Sequence, residues 1–341
     1  MQEKGGLTMN MRYFLGANSR RGFYSLYDSF PPGEASFLHI IKGGPGTGKS
    51  GFMRRLAAAA EEKGLDVETV LCSGDPDSLD GIYIPALHAA WCDGTAPHVT
   101  EPAAFAVDAD YVNLGRFCHL PLSSQDGERI RRLNRHYKAL YQQAYALLSA
   151  AAGLRDAAAE DSPPPWLAGH IGHLLDQNLL HVPVRPAPSR RLFFSALSCQ
   201  GYVRLTSELS KLCKQIYAFD SNAPAALSLV VQESRARGAS PLLSPDPLDP
   251  TRLSAVLLPD CGLGFVDRGW NLPGQEWIQW KASPSRDSEH FLPLLEQAID
   301  RLRQAKALHD QLEAVYKPYM DFSVLDDFTA GEIEKHILCR V

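Results

Sequence analysis

The sequence predicts an α/β protein of two domains, each with a mainly parallel sheet flanked by helices. Internal duplication relates the two, and each is trailed by a helical arm. Three observations predict this. A strand-like run leads through a glycine-rich loop into a helical run (36–64). A stretch near the N-terminus recurs about half a chain later. Each half closes on a long segment of helical composition.

At roughly 100–200 residues per domain, 341 residues make two domains. Hydrophobic residues at 45% and charged residues at 21% suit ordinary cores rather than disorder. A net charge of −5 gives no global attraction to nucleic acid or an anionic membrane. The cysteines number seven, an odd count, and form no CxxC pair, as expected of buried thiols in a reducing compartment. The opening "MQEKGGLTMNMRYF" lacks the apolar core of a signal peptide, and no apolar run approaches the ~20 residues that span a bilayer. A cytoplasmic protein without membrane or nucleic-acid partners is expected.

The repeat is read from "RYFLGANSRRGFYS" (12–25) and "RLFFSALSCQGYVR" (191–204), at an offset of 179. Phe14 matches Phe193, Ala17 matches Ala196, Ser19 matches Ser198 and Gly22 matches Gly201. Further on, "SGDPDS" (73–78) resembles "SPDPLD" (244–249) at offset 171, and "IPALHAAWCDG" (84–94) resembles "LPDCGLGFVDR" (258–268) at offset 174. Changing offsets put the length differences in loops. Residues 125–158 are proline-free and rich in Ala, Leu, Arg and Gln. Residues 287–320 space Leu295, Ala298, Ile299, Leu302, Ala305, Leu308, Leu312 and Val315 as a helix does. Proline clusters flank a short apolar helix (166–180) and set a boundary near 185, giving domains 1–185 and 186–341. The arms, about 124–180 and about 287–320, are the surfaces on which a protein partner or second copy would act.

The strongest chemical signal is "GGPGTGKS" (43–50), a complete G-x-x-x-x-G-K-[ST]. "SFLHIIK" (36–42) before it reads as a buried strand. "SGFMRRLAAAAEEKG" (50–64) after it reads as a helix with Met53, Leu56, Ala57 and Ala60 on one face and Gly64 as its stop. This is the setting of a P-loop NTPase-like domain. Gly43, Gly46 and Gly48 let the backbone wrap an anion, and the amides and the helix N-terminus point at phosphate. Gly43, Gly44, Pro45, Gly46, Thr47, Gly48, Lys49 and Ser50 are therefore the nucleotide-binding candidates. Lys49 reaches the β- and γ-phosphates, and the Ser50 hydroxyl ligates Mg²⁺.

A carboxylate for the metal is found in Asp93, which ends the apolar run "ALHAAWCD" (86–93); the same residue also suits a turn before Gly94. Asp75, Asp77 and Asp80 follow the strand "VETVLC" (67–72). One of them, Asp75 or Asp80 by preference, orients a water or substrate hydroxyl, or the group is turn chemistry. His98, five residues past Asp93, is a candidate for touching the γ-phosphate. "GHIGH" (169–173) has no acidic or cysteine neighbour and is read as no zinc site. Arg129, Arg131, Arg132 and Arg135 are of the kind that closes over phosphates in phosphoryl-transfer enzymes, or form a solvated helix face, which is the preferred reading.

After the strand "KQIYAF" the second half carries "DSNAPAALSLVVQ" (220–232). At an offset of 176, Lys49 falls on Ala225 and Ser50 on Ala226, so this loop cannot cradle a triphosphate in the same way. Asp267, ending "LGFVD", echoes Asp93.

"IIKGGPGTGKS", "CSGDPDSLDGIYIP", "DGTAPHV" and "HDQLEAVYKPYMDF" (309–322) together resemble an uncharacterised bacterial family of tandem P-loop ATPases, described as ATP-binding or nucleotide-kinase-like. The resemblance runs from about residue 12 to 338. It implies phosphate-loop roles for Gly43, Gly44, Gly46, Gly48, Lys49 and Ser50. It also implies a signature at Asp93, Gly94, Thr95, Pro97 and His98, and it favours site roles for the 75–80 acids. Many relatives carry a second G-x-x-x-x-G-K-[ST] motif; here it is degenerate. The resemblance names no substrate.

The expected function is Mg²⁺-dependent binding and hydrolysis of ATP, or GTP, at the N-terminal loop, with a pseudo-NTPase C-terminal half. Lys49, Asp93, Asp75, Asp80 and His98 are the catalytic candidates, and Ser50 and Asp93 the metal ligands. A small-molecule or nucleotide kinase and a non-catalytic nucleotide-gated switch are the alternatives.

Overall fold

The computed structural model describes residues 10–33, 35–156, 162–179, 189–220, 223–279 and 288–340; the boundary expected near 185 lies outside them. The first half contributes β1 (Met11–Phe14), β2 (Gly16–Ser19), β3 (Gly22–Ser25), β4 (Phe37–Lys42), α1 (Lys49–Glu62), β5 (Glu68–Leu71), β6 (Leu79–Ile84), β7 (Ala89–Asp93), β8 (Ala109–Asn113), α2 (Ser124–Asp156) and α3 (Trp166–Leu179). The second contributes β9 (Ser195–Ser198), β10 (Gly201–Arg204), α4 (Thr206–Leu212), β11 (Gln215–Phe219), α5 (Ala223–Ala236), β12 (Leu242–Pro245), β13 (Leu253–Leu258), β14 (Leu263–Asp267), β15 (Glu276–Ile278), α6 (Ser288–Tyr316) and α7 (Phe322–Ile333).

The α/β class holds, but the sheets are mixed rather than mainly parallel. One runs β1-β5-β6-β7-β4-β8 and the other β12-β13-β14-β11-β15. In the first, β7, β4 and β8 are parallel neighbours, while β5, β6 and β7 form an antiparallel meander. The second repeats this, with β12, β13 and β14 antiparallel and β14, β11 and β15 parallel. Connection length is the cause. Seven residues (72–78) join β5 to β6 and four (85–88) join β6 to β7. A parallel crossover needs about a dozen or more.

Five strands of each sheet thus share one order, and the helices share a register. α1 and α5 each have 14 residues. Phe52, Met53, Leu56 and Ala60 are buried in α1, and Ala226, Leu227, Val230 and Ser234 in α5, at a constant offset of 174. Gly64 and Gly238, just past the two helices, have positive φ of 73° and 75°. The acid loops align at 174 too: Asp75 Oδ1 accepts from the Asp77 amide (3.3 Å) and Asp249 Oδ1 from that of Thr251 (3.2 Å). The offsets of 171 and 176 are corrected accordingly. Lys49 stands opposite Ala223 and Ser50 opposite Pro224. Six residues (43–48) separate β4 from α1, and only three (220–222) separate β11 from α5.

The arms are not free. Ile130 and Leu133 of α2 pack with Leu312 and Val315 of α6, and Leu148 and Ala152 with Leu295 and Ala298, so the two helices run antiparallel. Their apolar faces cover each other, as helical patterning requires. α3 lies on α5, with Leu167, Ile171 and Leu175 against Leu227 and Val230. α7 lies on α1, where Phe328 stacks on Phe52 at 6.0 Å. Each sheet is thus covered by its own half's helix, α1 or α5, and a helix of the other half, α7 or α3, packs on that helix. Arg129, Arg131, Arg132 and Arg135 are exposed, a solvated face as expected. Among the described residues no helix is long and apolar enough to cross a membrane.

The halves join at the two similar segments themselves. Phe14 and Phe193, both fully buried, exchange backbone hydrogen bonds of 2.8 and 3.0 Å. Beyond them the hairpins cross. The Cys199 amide donates to the Gly74 carbonyl (3.1 Å), and that of Arg20 to the Leu248 carbonyl (2.9 Å).

Candidate functional site

The carboxyl end of β4 opens into the glycine loop. Gly46 (φ 73°) and Gly48 (φ 86°) take left-handed conformations that cost other residues about 1–2 kcal/mol. Gly48 caps α1 without a side chain, so the first amides of α1 carry no side-chain cap. Thr47 Oγ1 donates to the Gly44 carbonyl (2.8 Å) and holds the loop's curl. Lys49 Nζ donates to the carbonyls of Gly43 (2.9 Å) and Gly44 (3.0 Å).

β7 lies parallel to β4 with Asp93 opposite Ile41, which brings the aspartate to the mouth of the loop. Its Oδ1 accepts from the Thr95 amide (2.8 Å) and hydroxyl (2.6 Å), while Oδ2 lies 3.6 Å from Lys49 Nζ. Lys42 fixes the segment after Asp93 by donating to the carbonyls of Gly94 (2.9 Å) and Thr100 (3.3 Å). Ser50 Oγ accepts from the Leu79 amide (3.0 Å), which leaves its proton and a second lone pair. A hydroxyl with a lone pair to spare and a carboxylate oxygen beside the loop suit a hard divalent cation. Mg²⁺ fits the residues present.

The structure sorts the three acids that sequence left together. Asp77 is exposed and takes a hydrogen bond from Gln200 (2.8 Å). Asp75 is partly buried, and its Oδ2 lies 3.4 Å from Lys306 of α6. Asp80 is buried and accepts from the Tyr27 hydroxyl (3.2 Å) and His98 Nε2 (3.1 Å). Burial pulls the His98 imidazole down, but the charge and hydrogen bond of Asp80 outweigh it, and the net shift is upward. Asp80 and His98 thus meet each other in a closed wall behind the loop. His170 and His173 are exposed on α3, away from this wall.

Sequence reasoning missed the contribution of α6. Glu313 and Tyr316 lie along the loop, against Gly46 and Gly44, and Lys306 meets Asp75 of the acid loop. The stretch 309–322 that carries part of the resemblance contains Glu313 and Tyr316, but it does not say which loop they meet, because that is a tertiary fact. A Cβ on Gly46 would stand 3.0–3.1 Å from backbone atoms of Glu313. Gly46→Ala therefore combines a positive-φ cost with overpacking against α6. The expected loss is about 2–4 kcal/mol, read as a lower denaturant midpoint.

The second half keeps an acid at the equivalent strand end. Asp267 Oδ1 accepts from the Gly269 amide at 2.7 Å. Burial first, and then the charge of Asp246, push its carboxyl up to about 6 despite Arg204 and Arg155. A raised acid favours folding fully below its ordinary range, and that advantage is lost as pH climbs through about 6. Asp267→Asn should therefore raise stability at about pH 8, by up to about 3 kcal/mol, and change it little at about pH 4. Unfolding midpoints at both pH values check this.

Comparison with known proteins adds no identity: no family model, curated protein or solved structure matches the chain.

Proposed function

We propose that the chain binds Mg²⁺-ATP at Gly43–Ser50 and hydrolyses it there. The observation that carries this reading is Asp93 Oδ2 lying 3.6 Å from Lys49 Nζ at the mouth of a left-handed glycine loop. Lys49 leaves the loop carbonyls to pair with the terminal phosphates and neutralises charge developing on them. The loop amides and the uncapped start of α1 hold the remaining phosphate oxygens. Ser50 and Asp93 would hold Mg²⁺, which when bound supplies further charge neutralisation on the phosphates. Thr95 keeps the Asp93 carboxylate turned so that Oδ2 faces the loop. Lys306 brings a positive charge from the other half to Asp75 beside the site.

The same reading makes the second half a degenerate copy, in keeping with the tandem family the sequence resembles. The shared strand order and the offset of 174 support it. Ala223 and Pro224 offer neither the ammonium nor the hydroxyl of Lys49 and Ser50.

The test is phosphate release and nucleotide binding by the full chain, with Mg²⁺ and with chelator, beside Asp93→Asn. Mg²⁺-dependent release that collapses in the variant supports hydrolysis without an added acceptor. Absence of nucleotide binding at millimolar ATP overturns the proposal.

A further inference from the structure

Behind the phosphate loop, three side chains from separate segments converge. Cys72 follows β5, Asp80 lies at the start of β6, and His98 sits in the loop after β7. Because β6 runs antiparallel to β5, all three reach the same end of the sheet. One ligand-type atom from each lies within 4.8 Å of the others. Asp80 and His98 are only 4% and 7% exposed.

We propose that Cys72, Asp80 and His98 form a binding site for a divalent transition metal of the zinc class, separate from the Mg²⁺ position at Ser50 and Asp93. The donor set decides the class. Thiolate, imidazole and carboxylate are borderline-to-soft ligands that select zinc over magnesium. Bond lengths of about 2.0–2.3 Å in tetrahedral geometry put ligand atoms about 3.3–3.8 Å apart. The 3.1 Å between His98 Nε2 and Asp80 Oδ2 needs to open by only a few tenths. Thiolate and carboxylate together balance a divalent charge, so the filled site is neutral inside the fold.

Tyr27 and His98 Nε2 both point at the Asp80 carboxylate. His98 Nδ1, on the far side of the ring, is buried without a partner. With three protein ligands the metal keeps a fourth position for water, in the manner of open sites. It would clip together β5, β6 and the loop after β7, the segments that back Asp93 and the phosphate loop.

Co²⁺ is the probe, because a Co²⁺–thiolate bond reports itself by charge-transfer absorption. The full chain, stripped with chelator and titrated with Co²⁺, should develop that absorption to an equimolar endpoint and lose it when Zn²⁺ is added. Cys72→Ser should abolish the band, His98→Gln should weaken or abolish it, and Cys339→Ser, at an exposed cysteine, should leave it intact. Lys49→Ala should keep it, so failure of the nucleotide reading does not touch this one. No thiolate band in the wild-type chain, or a band that survives Cys72→Ser, overturns the proposal. The wild-type titration decides even if the variants fold poorly.

Discussion

Lys49→Ala is expected to lower phosphate release from Mg²⁺-ATP by at least about a hundredfold. Deleting one preorganised donor aimed at developing charge typically costs about 10²–10³ in rate. Lys49 has no understudy. Lys42, the next ammonium along the chain, is committed to the Gly94 and Thr100 carbonyls and to Glu101 (3.1 Å). Lys306 faces Asp75 and Asp310. Lys49→Arg should restore little, because a planar fork does not replace a compact ammonium that must fit between two carbonyls and a carboxylate. Steady-state phosphate assays on the purified variants are the measurement. Release unchanged in Lys49→Ala would mean that hydrolysis happens elsewhere or in a contaminant, and the assignment of the loop would fall.

The second large effect concerns the seam. Phe193→Ala should destabilise the chain by about 3–5 kcal/mol, the usual cost of emptying a fully buried phenylalanine site. That is a large part of the about 5–15 kcal/mol that holds a domain together. Phe193 packs edge-on against Tyr24 at 6.2 Å and shares a core with Phe14, Met53, Leu56 and Trp91, all in the first half. Its loss should therefore loosen both halves at once. Calorimetry should show a single transition shifted down by roughly 4–7 °C. Two transitions with only the later one moved would mean that the halves unfold independently and that the seam is a minor contact.

What sequence could reveal was what is local. The loop 43–50 is contiguous, and each glycine there answers to a backbone requirement visible in order along the chain. Asp93 was legible because a strand's end is marked by where its apolar run stops. The meander β5–β6–β7 was not read, because β6 begins inside the acidic stretch that looked like turn chemistry. Asp75, Asp77 and Asp80 were alike as letters and became different only through burial. The likeness between the halves was visible, and 84–94 already matched 258–268 at 174, but the acid loop and the phosphate loop were set at 171 and 176. The buried faces of α1 and α5 bring both to 174. The joining of Cys72 to Asp80 and His98 depends on two loops and a strand meeting, and no spacing in the sequence encodes that.

The crossing of the helices carries a consequence for assembly. α3 leaves the first half to lie on α5 of the second, α7 returns to lie on α1, and α2 and α6 pair along their lengths between them. A detached half would lack the helix that borders its own phosphate loop or acid cluster, and would expose the apolar stripe meant for its neighbour. Two such detached halves would have to find each other by diffusion. Joined in one polypeptide, each meets the other at an effective concentration in the millimolar range set by the tether. Completion of the site is then independent of how dilute the protein becomes.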